Sequence, residues 1–190
     1  MCLCYTQKRF YAKPALLLNL RRAQDGRLKV GYSVCVMGLG TVGLPTATYL
    51  QDAGCEVTGY DISPYAIGRA RPHIPVCDID RIPLDTEIFV ICVSTTRLND
   101  KPIASNVYDA CAKISRRFHP RLIVIESTVP IGTCRDIHRS ILKGRVNLAH
   151  VPHSYWPEDP HRHGVSQSRV AGGVNAGSLF ETRSFYDEID

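Results

Sequence analysis

The sequence predicts an α/β fold with one doubly wound parallel sheet, on three observations. Glu87-Ile-Phe-Val-Ile-Cys-Val93 and Arg121-Leu-Ile-Val-Ile-Glu126 are continuous apolar runs of strand length, as expected for parallel strands covered on both faces. Between such runs, apolar residues recur at helical spacing, as at Val107, Ala110, Cys111 and Ile114. Strand-like and helix-like segments then alternate along the chain, which makes successive strands parallel through helical crossovers.

The elements follow in order. Ser33–Met37 reads as the first strand of the sheet, followed by the turn Gly38-Leu39-Gly40-Thr41-Val42-Gly43 and a helix to Ala53. Cys55–Tyr60 is the second strand, with Asp61 at its end. Ser63 and Pro64 then supply an N-cap and a first-turn proline for a helix to Ala70. Residues 71–85 are rich in Pro and Asp and read as a loop. The third strand, Glu87–Val93, runs into Ser94-Thr95-Thr96, and the stripe from Asn106 to Phe118 is a helix stopped by Pro120. The fourth strand, Arg121–Glu126, runs into Ser127-Thr128, and a helix from Gly132 to Leu142 is closed by Gly144. Arg145–His150 and Arg169–Val174 are shorter strands, and Asn175 or Ser178 caps a last helix to about Ile189. In such a sheet a ligand sits beyond the carboxyl ends of the strands, where their order reverses.

The glycine turn carries the chemistry. A strand, a tight glycine turn and a helix N-terminus together make an anion site without a charged side chain. Gly38 allows the turn, Gly40 lets backbone approach phosphates, and Gly43 lets the helix pack close to the strand. Asp61 stands near the spacing of about 20 residues at which an acid accepts hydrogen bonds from a ribose and repels a 2′-phosphate. The pattern therefore calls for NAD rather than NADP, with Gly38, Leu39, Gly40, Thr41, Val42, Gly43 and Asp61 as contacts. The hydroxyl-rich exits at Ser94, Thr95, Ser127 and Thr128 suit a polar ligand or an ordered water. Gly132-Thr133 opens a helix and is a second place for an anion.

Composition sets bounds. A chain of 190 residues is enough for a single domain with a real core. The net charge of +5 is concentrated in the first 24 residues, which hold Lys8, Arg9, Lys13, Arg21 and Arg22 and no acid. With those five removed from the 23 basic residues, 18 remain against 18 acidic ones, so the expected folded part has no positive excess for nucleic acid. Residues 1–29 read as a basic, solvated N-terminal extension, with a mitochondrial targeting role as the alternative, and 30–190 as the domain. No apolar stretch approaches the ~18 residues of a membrane span. The eight cysteines, Cys2, Cys4, Cys35, Cys55, Cys77, Cys92, Cys111 and Cys134, form no CxxC pair and read as reduced structural thiols of a cytoplasmic protein. His150, His153, His161 and His163 cluster within 14 positions but lack metal-site spacing, so no metal is expected. Tyr155 and Trp156 in the same loop pack beneath it or cover a base or sugar.

With these residues set out, Val36-Met-Gly-Leu-Gly-Thr-Val-Gly-Leu-Pro45, Val57-Thr-Gly-Tyr-Asp61, Ile91-Cys-Val-Ser-Thr95 and Glu126-Ser-Thr-Val-Pro-Ile-Gly-Thr133 resemble the amino-terminal, Rossmann-type domain of the UDP-glucose/GDP-mannose dehydrogenase family. The resemblance covers about residues 30 to 180, and the Glu126–Thr133 motif is its most specific part. It implies oxidation of the sugar C6 alcohol of a UDP- or GDP-sugar to the carboxylate with two NAD⁺, through a cysteine thiohemiacetal and thioester. It implies that Val93, Ser94, Thr95 and Glu126 line the cofactor and that Thr128 positions water. A gap-free count back from Arg169 puts His153, in Pro152-His153, where the family keeps a water-assisting glutamate, so Thr128 and His153 are the candidate catalytic residues; Glu158 is out of register for that place. The family's catalytic cysteine, lysine and aspartate, and its dimerisation helix, belong to further segments for which 190 residues leave no room. The resemblance thus implies a fragment or short form, inactive alone, of a nucleotide-sugar 6-dehydrogenase. The alternatives are a stand-alone NAD-binding module, or the first domain of another dehydrogenase such as one acting on β-hydroxyacids. The Arg169-Val-Ala-Gly-Gly173 ending resembles the UDP-N-acetylhexosamine branch.

Overall fold

The computed structural model describes residues 3–6, 20–22, 28–98, 101–153 and 168–189. Its strands are β1 (Leu3–Thr6), β2 (Leu20–Arg22), β3 (Leu28–Val30), β4 (Ser33–Met37), β5 (Glu56–Tyr60), β6 (Ile88–Ile91), β7 (Thr96–Leu98), β8 (Lys101–Ile103), β9 (Leu122–Ile125), β10 (Asn147–His150) and β11 (Val170–Gly173). The helices are α1 (Gly43–Asp52), α2 (Pro64–Ala70), α3 (Ser105–Arg117), α4 (Thr133–Ser140) and α5 (Ala176–Ile189). Ser63 caps α2 as expected, accepting from the Ala66 N–H at 3.4 Å. At α5 the cap is Asn175, whose Oδ1 accepts from the Ser178 N–H at 2.8 Å.

Seven strands form one sheet in the order β1-β11-β10-β9-β6-β4-β5. From β10 to β5 neighbouring strands are parallel. Alternation along each strand sends side chains to opposite faces. Val34, Val36, Val90 and Val124 pack with Leu44, Ala47, Leu50 and Phe185 on the face covered by α1 and α5. Cys35, Met37, Phe89, Ile91, Ile123 and Ile125 pack with Val107, Cys111, Ile114 and Ile137 on the face covered by α3 and α4. The sheet is doubly wound. The chain passes from β4 outward to β5, then returns beyond β4 to β6. The strand order therefore reverses between β4 and β6.

Three features depart from the sequence reading. β11 runs antiparallel to β10. The Pro- and His-rich run 151–168 between them has no apolar helical stripe with which to cover a crossover. Leu3–Thr6, expected to be solvated, pairs antiparallel with Val170–Gly173 and extends the sheet. An open strand edge offers unpaired N–H and C=O groups, and a polar tail satisfies them as well as an apolar one does. Two small hairpins, β2–β3 and β7–β8, were not expected. β3 also crosses the boundary placed between residues 29 and 30. Among the described residues no helix is long and apolar enough to cross a membrane.

Candidate functional site

The glycine turn at the end of β4 is sterically determined. Gly38 has φ +93°, and a Cβ there would stand 2.7 Å from the Cys92 carbonyl carbon and oxygen. A Cβ on Gly43 would fall 1.7 Å from the Gly38 oxygen. The Gly38 N–H donates to Tyr60 O at 2.8 Å, which ties the turn to β5. Gly40 is different: a Cβ there would meet no protein atom within 4 Å. It faces open space, where a ligand's backbone-hugging group fits. α1 begins just beyond, with no capping side chain and no acid in its first turn. No side chain of the helix itself therefore caps or neutralises its positive end.

Asp61 closes the other side of the turn. Its Oδ2 accepts the Leu39 N–H at 2.6 Å and its Oδ1 accepts the Ser63 N–H at 2.8 Å. A carboxylate has about four acceptor positions, so this one keeps capacity for two hydroxyls. A cleft of about 560 Å³ opens here, over the carboxyl ends of β4, β5, β6 and β9. Gly38, Gly40, Thr41, Val42, Asp61, Val93, Ser94, Thr95, Glu126, Thr128 and His153 all line it. Leu39 and Gly43 do not. The Leu39 side chain is fully buried, and its N–H is committed to Asp61; Gly43 is packed on Gly38. Their contribution is the shape of the turn. Asn106 and Lys113 of α3 also line the cleft, and no sequence signal marked them. Asn106 Nδ2 donates to Ser94 O at 2.9 Å and holds the exit of β6.

Glu126 forms the cleft floor, and protein groups occupy its carboxylate. Oε1 accepts from Tyr186 Oη at 2.9 Å, with Arg169 Nη1 2.7 Å away as an ionic partner. Oε2 accepts from Thr46 Oγ1 at 3.1 Å, from the Cys92 thiol at 3.6 Å, and lies 3.1 Å from His153 Nδ1. Burial alone would raise its pKa; the contact with His153 and the Arg169 charge overcome that and hold it down at about 2. Arg169 stays in place through Nη2, which donates to Val151 O at 3.0 Å, and through stacking over Tyr186. Thr46, Arg169 and Tyr186 lie 80, 43 and 60 positions from Glu126, and nothing in the sequence links them.

His153 turns inward: its side chain is 1% exposed. Thr128 is exposed at the cleft wall. The turn that carries it is held from both sides. Ser127 Oγ donates to Val93 O at 2.6 Å, and His150 Nε2 donates to Ser127 O at 3.1 Å. Burial lowers the His150 pKa, with the bond to Ser127 opposing. Tyr155, Trp156, Glu158, His161 and His163 lie outside the described residues. Burial pushes the Cys55 and Cys111 thiols up to about 12 and raises Cys35 and Cys92 as well. These are protonated structural thiols.

The open Gly40, the uncapped start of α1 and the spare acceptors of Asp61 fit a dinucleotide. Comparison with known proteins agrees. The sequence profile of the UDP-glucose/GDP-mannose dehydrogenase family, NAD binding domain, matches residues 74–190. UDP-N-acetyl-D-mannosamine dehydrogenase of Methanocaldococcus jannaschii is 26% identical over 83% of this chain and 43% of its own length. The enzyme of that name from Pyrococcus horikoshii is 31% identical over 80% of this chain and 44% of its own. The solved UDP-D-ManNAc dehydrogenase from Pyrococcus horikoshii superposes with a TM-score of 0.70 at 24% identity, covering 82% of this chain and 44% of that one. The chain thus spans less than half the length of these relatives. It belongs to the UDP-glucose/GDP-mannose dehydrogenase family and carries that family's NAD binding domain.

Proposed function

We propose that the cleft holds NAD with the pyrophosphate against Gly38–Val42 and the start of α1. The adenosine ribose rests on Asp61, and the nicotinamide end lies toward Ser94, Thr95, Thr128 and His153. In this reading the whole protein oxidises the sugar CH–OH of a UDP- or GDP-sugar to a uronic acid. NAD held there would supply a hydride acceptor, and Thr128 and His153 would hold and deprotonate water. The observation that carries the reading is the convergence of four strand ends on one cleft, each with the residue type the chemistry needs. The names of the relatives and the Arg169–Gly173 ending favour a UDP-N-acetylhexosamine as substrate. Cys35, Cys55, Cys77, Cys92 and Cys111 stand as thiols rather than disulfides, which supports the cytoplasm as the compartment.

Protein-detected NMR tests the cofactor's placement. Adding NAD⁺ should shift the amides of Gly38–Gly43, Ser94, Thr95 and Thr128 together. Shifts confined to residues away from this cleft would reject the reading.

A further inference from the structure

We infer that Glu126 is a positioning residue for His153, its buried carboxylate holding the imidazole in the Nδ1–H form so that Nε2 carries the lone pair. The inference rests on the reading above, in which His153 takes a proton at the reacting end of the cleft.

The attachment is two-point. Oε2 lies 3.1 Å from Nδ1, and the His153 backbone N–H donates to the Glu126 carbonyl oxygen at 3.3 Å. Both side chains are withdrawn from water, at 1% and 0% exposure. The carboxylate is itself immobilised by Tyr186 and Arg169 on Oε1 and by Thr46 on Oε2. An ionised carboxylate only accepts hydrogen bonds, so the ring nitrogen facing it must bear a proton. A neutral ring with Nδ1 protonated has its basic nitrogen at Nε2. A hydrogen-bonded carboxylate behind an imidazole fixes both ring orientation and tautomer. The residue type matters here. A glutamate at 153 would offer no ring donor to the Glu126 carboxylate. Histidine supplies the matching donor instead.

The test is the tautomer itself, read on the full chain with ¹⁵N-labelled histidine at about pH 8, above the ordinary histidine range. The His153 signal is identified by its loss in His153→Gln. The expected spectrum shows a protonated Nδ1 and a lone-pair Nε2 for this ring. In Glu126→Gln, Tyr186 and Arg169 draw the amide oxygen to their side, so the amide NH₂ faces Nδ1. The ring should then invert to the Nε2–H form. Failure of that variant to fold leaves the test intact, because the unmodified chain decides it. A His153 ring protonated on Nε2 alone, or on both nitrogens, overturns the inference. NAD⁺ added to the same sample separates the two claims. Cleft amides that respond while the tautomer is wrong sink the positioning role alone. Cleft amides that do not respond sink the functional reading.

Discussion

Asp61 does two things with one carboxylate. It pins the Leu39 and Ser63 amides and presents the remaining acceptor positions to the cleft. Asp61→Ala should therefore weaken NAD binding by about 1–3 kcal/mol, measured by calorimetry, since a ribose hydroxyl loses its partner and the turn loses a tie. Glu126 makes a different prediction, because its pKa is depressed on folding. Its contribution to stability is present above the unfolded value of 4.5 and is lost as pH falls through the window toward about 2. Urea unfolding at a series of pH values should show stability declining through that window, and Glu126→Gln should flatten the decline. The same variant should lower stability at neutral pH by about 3–5 kcal/mol, because Arg169 is left buried without its counter-charge. The sequence made Asp61, Ser94, Thr95 and Thr128 legible, since each follows an apolar strand within four residues. It hid Thr46, Arg169 and Tyr186, whose contact with Glu126 depends on how α1, β11 and α5 pack and leaves no spacing to read.

At the scale of elements, packing decides. α3 is held by an apolar stripe in which Val107, Cys111 and Ile114 are fully buried against the sheet. Ile114→Ala should cost about 2–5 kcal/mol in denaturant unfolding while the chain still folds. A cost near zero would mean that α3 is not docked as described. The six expected strands are all present, and β6 and β9, buried at every position, show how burial on both faces writes a continuous hydrophobic signature. The direction of β11 was not legible in its own residues, because hydrophobicity carries no direction; the signal lay in the connection 151–168, which has no apolar helical stripe. β1 was not legible either, because an edge strand draws on backbone groups rather than on side-chain pattern. Helix starts differ by a residue or so: the glycine expected to open α4 is its left-handed cap, at φ 95°. α1 is the element on which the proposed function and the fold coincide, since its uncapped N-terminus is both a packing end and the place proposed for the pyrophosphate.

For the whole molecule, the doubly wound sheet supplies one crevice, and the family's cofactor domain occupies the chain that forms it. The chemistry that the family resemblance implies needs an activated thiol, and burial raises the pKa of Cys35, Cys55, Cys92 and Cys111. Incubating this chain with NAD⁺ and a panel of UDP- and GDP-sugars should yield no uronate by mass spectrometry; a uronate product would mean that a thiol of this chain is activated after all. The central claim, that the cleft is an NAD site chosen by Asp61, meets its most direct test in calorimetric titration with NAD⁺ and NADP⁺ side by side. The account predicts saturable NAD⁺ binding and markedly weaker NADP⁺ binding, with the difference shrinking in Asp61→Ala. Equal or tighter binding of NADP⁺ to the unmodified chain would contradict it.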